Sequence, residues 1–80
     1  MTERHQMLGE RADLKPKRQK LRAECEALRD RLRAALPVHN EVDALDGENI
    51  LTTAIALRES LGELAGLNHK IGILERELGI

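Results

Sequence analysis

Residues 21 to 37 read Leu21-Arg22-Ala23-Glu24-Cys25-Glu26-Ala27-Leu28-Arg29-Asp30-Arg31-Leu32-Arg33-Ala34-Ala35-Leu36-Pro37. Apolar or small side chains recur at Leu21, Cys25, Leu28, Leu32 and Ala35, spaced four, three, four and three apart. That spacing is one face of an α-helix, with no trace of a period of two. The stretch also carries its own stop. A residue that precedes proline is pushed out of the helical region, so Leu36-Pro37 predicts the end of the helix.

Working toward the N-terminus, the seven-residue series continues through Leu14 and Met7, but its companion positions become Arg18, Arg11 and Arg4. The pattern predicts a thinner apolar stripe there. Pro16 sharpens the question. Proline costs about 3 kcal/mol inside a helix but is tolerated in the first turn. With Asp13 as N-cap, Pro16 falls in that first turn. The expectation is a well-formed helix over 14–36, with residues 1–13 an arm that is either frayed or a short helix of its own.

Working toward the C-terminus, Val38-His39-Asn40 opens a turn. Asn40, Asp43 and Asp46 all suit an N-cap, and Glu41, Asp43, Asp46 and Glu48 add negative charge where the helix macrodipole favours it. Gly47 argues against continuous helix from Asn40, so the reading is a turn over 37–45 and a second helix over 46–78. Its main stripe is Ile50, Leu57, Leu64, Ile71 and Leu78. The companion position starts as Ala54 and Leu61, then shifts one residue back to Leu67 and Leu74, a drift expected because 3.6 does not divide seven. Gly79 closes the segment.

The predicted fold is therefore all-α. It is an antiparallel, coiled-coil-like helical hairpin whose seam comprises Leu21, Cys25, Leu28, Leu32, Ile50, Leu57, Leu61, Leu64, Ile71, Leu74 and Leu78. Composition agrees. Eighty residues make one small domain, and 14 Leu, nine Ala and five Ile supply most of the apolar content. The absence of Phe, Trp and Tyr excludes an aromatic-cored β-sandwich and a base-stacking surface. One cysteine forms no internal disulfide. No apolar run approaches about 18 residues, and Met1-Thr2-Glu3-Arg4-His5 lacks a signal-peptide core, so no membrane partner and a cytoplasmic setting are expected.

The net charge of −1 hides a split. Residues 1–36 hold ten bases against six acids, a net +4; residues 37–80 hold three bases against eight acids, a net −5. A hairpin explains this if the halves face each other, with Glu59 and Glu63 near the Lys15–Arg22 run and Asp46 and Glu48 near Arg29 and Arg33. Acid is then expected to weaken the assembly by protonating the second helix's carboxylates.

Two helices that bury one stripe each are too little core for a chain this size. The second helix carries further apolar or small residues off its main stripe, Leu51, Ile55, Gly62, Gly66 and Ile73, which fall on a second face. They predict self-association as a homodimer or higher oligomer, with two hairpins forming a four-helix bundle. Scattered surface apolar residues are the ordinary alternative.

Chemistry-bearing residues are sparse. Cys25 sits on the seam, as a buried and inert thiol would. His5, His39 and His69 are far apart and share no ligand spacing, so no metal is expected. Glu59 and Glu63 share a helix face, but no Glu-x-x-His accompanies them, so they read as a solvated or salt-bridged face. There is no Gly-rich phosphate loop and no nucleophile constellation, so neither a cofactor nor enzymatic activity is expected. Lys15, Lys17, Arg18, Lys20 and Arg22 put five cations in eight residues without an acid, a possible phosphate contact or simply the solvated side of the first helix.

Residues 61–76, Leu61-Gly62-Glu63-Leu64-Ala65-Gly66-Leu67-Asn68-His69-Lys70-Ile71-Gly72-Ile73-Leu74-Glu75-Arg76, resemble the helix-turn-helix of bacterial repressors. The resemblance covers about a fifth of the chain. It implies a turn at Gly66, a recognition helix over 68–77 and a DNA-binding regulator. It departs from the family at Gly72, where an apolar residue is wanted, and at Glu75 and Glu77, which would meet phosphates. The leading expectation is a small protein-protein interaction or assembly module (an adaptor, a chaperone-like binder or a structural accessory) whose partners are itself and another protein. The alternative is a small DNA- or RNA-binding regulator.

Overall fold

The computed structural model describes residues 2–80. Helix α1 spans Thr2–Ala35 and helix α2 spans Gly47–Leu78, joined by a connection that holds one 3-10 turn at Val42–Ala44. Among the described residues there is no strand. The two helices pack against each other along their length to give an all-α hairpin of 62 × 17 × 16 Å.

The ends follow from local chemistry. α1 stops at Ala35, two residues before Pro37, with the Leu36 N–H donating to the Arg33 carbonyl at 3.2 Å. Asp46 caps α2, its carboxylate accepting from the Asn49 N–H at 3.2 Å. At the far end Gly79 takes a left-handed φ of 75°. That conformation lets the Gly79 N–H reach the Arg76 carbonyl and the Ile80 N–H reach the Glu75 carbonyl at 3.0 Å, a double bond pattern that satisfies carbonyls the helix leaves free.

Three expectations need correction. First, residues 2–13 are neither a frayed arm nor a separate helix. α1 is continuous through Pro16, which sits in its interior. The reason lies in α2. Met7 and Leu14 pack with Leu67, Ile71 and Leu74 in the hairpin's buried cluster, where Ile71 is 0% exposed. Two of the three arginines at the alternating seam positions are served too: Arg11 reaches Glu75 at 2.8 and 2.9 Å, and Arg4 donates to the Leu78 carbonyl at 3.2 Å. Tertiary contacts along the first turns outweigh the local cost of one proline. The deepest core thus lies where the sequence promised the thinner stripe.

Second, the α2 seam does not drift. Leu61 is 49% exposed, whereas Thr53 is 3% exposed and buried. The inner face keeps one register throughout: Ile50, Leu57, Leu64, Ile71 and Leu78 on one line, and Thr53, Ser60, Leu67 and Leu74 on the other. Two small hydroxyl residues hold the positions that were read as Ala54 and Leu61. Third, α2 is unbroken through Gly66, so the helix-turn-helix geometry is absent.

Candidate functional site

The outer face of α2 is the most distinctive surface of the hairpin. Leu51, Ile55 and Ile73 are 56, 40 and 43% exposed, and Gly62 and Gly66 lie between them on the same exposed side. The five residues proposed from sequence as a second face therefore do share one face that α1 leaves uncovered. A Cβ built on Gly62 or Gly66 would meet nothing within 4 Å, as is also true at the other helical glycines, Gly9 and Gly72 among them. The hairpin itself has no use for glycine there, although each interior helical glycine is about 1 kcal/mol less favourable than alanine. Leu61, displaced from the seam, is exposed on the flank between the two faces and lines a shallow hollow with Cys25, Glu26, Arg29 and Leu57.

The remaining seam residues divide by depth. Leu21, Cys25, Ile71, Leu74 and Leu78 are buried. Leu28, Leu32, Ile50, Leu57 and Leu64, toward the turn, are half-buried. Cys25 is a free, buried thiol.

Electrostatics between the helices differ from the expected pairing. The cross-helix ion pairs among the described residues are Arg11–Glu75 at 2.8 Å and Lys70–Glu10 at 3.4 Å. The second runs against the overall charge split. Arg29 bonds its neighbour Asp30 rather than Asp46 or Glu48. Glu63 shares a shallow hollow with Lys17, Lys20, Leu21, Glu24 and Leu67, and neither Glu63 nor Glu59 closes an ion pair among the described residues. The Arg11 hydrogen bond holds the Glu75 carboxyl below its usual range, partial desolvation opposes this, and the positive charges of Arg11, Arg18 and Lys15 add to the lowering. Sequence reasoning missed Glu75 as a structural carboxylate. Its signal was the arginine series Arg4, Arg11, Arg18 on the α1 seam, which requires acceptors on the facing helix.

The basic run forms a second surface. Lys15, Lys17, Lys20 and Arg22 are exposed, and none closes an ion pair among the described residues; Arg18 is half-buried. A third feature, an apolar hollow of about 440 Å³ at the turn, is lined by Arg33, Leu36, Pro37, Val38 and His39. His5, His39 and His69 are all exposed, and no group of three or more His, Cys, Asp or Glu among the described residues could hold a metal ion. No described helix is long and apolar enough to cross a membrane. In comparison with known proteins, the chain matches no family model, no curated protein and no solved structure.

Proposed function

We propose that this chain is a small protein-protein interaction and assembly module that works through helix-face recognition. The observation that carries the reading is the outer face of α2. It presents Leu51, Ile55 and Ile73 in line, with glycines between them, on a helix braced from behind by α1. Apolar residues at helical spacing give affinity to a partner helix, and small residues between them let that helix approach closely. Bracing matters because a helix already ordered loses less entropy on binding than a free peptide does.

The test uses the full chain as bait in extracts of its native host, beside the double variant Ile55→Glu/Ile73→Glu. Both positions are exposed, so the variant should keep its helical signal. The reading expects specific partners on the wild type that the variant loses. Identical captures on both baits would overturn it. A second reading, nucleic-acid binding, is favoured by the exposed Lys15, Lys17, Lys20 and Arg22, none of which closes an ion pair among the described residues. It expects duplex binding that falls steeply with salt and vanishes in Lys17→Glu/Arg18→Glu. Absence of such binding at low salt removes it.

A further inference from the structure

We infer that the occupant of the outer α2 face is a second copy of this chain, paired antiparallel about a twofold axis at Gly62. The inference rests on the interaction-module reading and names its partner. The exposed stripe runs Glu48, Leu51, Ile55, Arg58, Gly62, Gly66, His69, Ile73, Arg76. Its steps are three, four, three, four, four, three, four and three, so it reads alike from either end with Gly62 at the centre. Helical periodicity alone supplies such a centre. The identities of the residues that it brings together are the informative part.

In the antiparallel pairing Glu48 faces Arg76 of the second copy, and symmetry repeats the pair at the other end. Leu51 faces Ile73, and Ile55 faces His69. Arg58 lies over Gly66, where the absent side chain leaves open space for its long stem. Gly62 faces itself at the axis, where the two backbones come nearest. Every large residue along the stripe meets an opposite charge, an apolar or ring side chain, or a glycine. Glu48, Arg58 and Arg76 take no ion-pair partner within the hairpin among the described residues, so their charges are free for the interface.

A parallel pairing fails by the same accounting. It sets Glu48 on Glu48, Arg58 on Arg58 and Arg76 on Arg76, and facing like charges are repulsive. From Glu48 to Arg76 the antiparallel contact runs about 42 Å at 1.5 Å per residue. The outer face lies roughly 160° around α2 from the seam at 100° per residue. Two copies therefore make a row of four helices, with the α2 helices side by side in the middle and the α1 helices outside.

The experiment is sedimentation of the full chain as wild type, Glu48→Arg, Arg76→Glu and the double reversal Glu48→Arg/Arg76→Glu, with helical content followed by circular dichroism. The wild type should be dimeric at micromolar to roughly 0.1 mM concentration; each single reversal should weaken it about tenfold or more, and the double should recover to within about threefold. An independent arm places cysteine at the axis. Gly62→Cys should oxidise to a covalent dimer, whereas Arg58→Cys, about 12 Å along the helix from its own copy at 1.5 Å per residue, should not. The wild type, with Cys25 buried, is the blank. A wild type that stays monomeric overturns self-pairing, and the interaction reading is then judged by its own bait experiment. A dimeric wild type whose double reversal stays weak, or whose Arg58→Cys variant links as fast as Gly62→Cys, overturns the Gly62 register.

Discussion

Replacing Pro16 with alanine should stabilise the protein, and the sign of the effect tests the continuity of α1. Pro16 lies about four turns into the helix at 3.6 residues per turn. It has no N–H to offer the carbonyl one turn back, and its ring crowds that carbonyl. An interior proline is about 3 kcal/mol less favourable than alanine. Alanine gives back about 0.4–1 kcal/mol, because proline restricts the unfolded chain. Pro16 is exposed, so no core contact is lost. The net gain is about 2 kcal/mol. For a chain of this length that corresponds to a rise in Tm of about 8–16 °C, or a rise in the urea midpoint of roughly 1 M. The measurement is a urea titration followed by far-UV circular dichroism at one fixed protein concentration, since association would add to apparent stability. Were Pro16 in the first turn of a helix beginning near Leu14, the substitution would forfeit only the entropic advantage. The midpoint would then stay level or fall, and that result would refute a continuous α1.

The seam register predicts a contrast between two residues of α2. Ile71→Ala removes a large side chain that is 0% exposed and should cost about 2–4 kcal/mol, while Leu61→Ala should cost under about 1 kcal/mol; equal losses in urea titrations would contradict the register. Leu28→Asp or Leu64→Asp places a charge in the half-buried seam and should sharply reduce the helical signal; a circular dichroism spectrum unchanged from wild type would count against their placement. For pH, the Glu75 carboxyl is held below its usual range by Arg11, so its ionised form stabilises the fold at and above the ordinary carboxylate range, and that contribution is lost as pH falls toward the lowered value. Glu75→Gln should therefore lower stability at neutral pH and flatten its acid limb; an acid limb of undiminished slope would show that other carboxylates set it.

The hairpin was legible because its signals are local or periodic. A seven-residue stripe, a proline two residues past a helix end and an aspartate before a glycine each act through backbone geometry that needs no partner to be understood. The missed features depend on the facing helix. Arg4, Arg11 and Arg18 look like a broken stripe until Glu75 and the Leu78 carbonyl are set across from two of them. Thr53 and Ser60 look polar, and Leu61 looks like the better seam residue, until α1 is set against α2 and covers Thr53 while leaving Leu61 half exposed. Pro16 was read by propensity alone, which is a weak guide where packing against α2 decides. The outer-face residues were legible as a group from spacing, but spacing could not say what covers them.

The two helices differ in a way that bears on that cover. Thr2–Ala35 carries 16 charged residues among 34, whereas Gly47–Leu78 carries eight among 32. α1 needs one dry face and is built as a solvated rod around it. α2 has half the charge, a complete inner seam, and a second line of Leu51, Ile55 and Ile73 facing away from α1. That second line, with Gly62 and Gly66 within it at a cost in helix stability, is what the proposed self-pairing would use. In the proposed self-pairing, this contrast in charge density would suit α2 to an inner place and α1 to an outer one. The proposed row of four helices, with the two α2 copies in contact, would cover the second line of α2 and leave the charged α1 helices to solvent, whereas a lone hairpin leaves that line exposed.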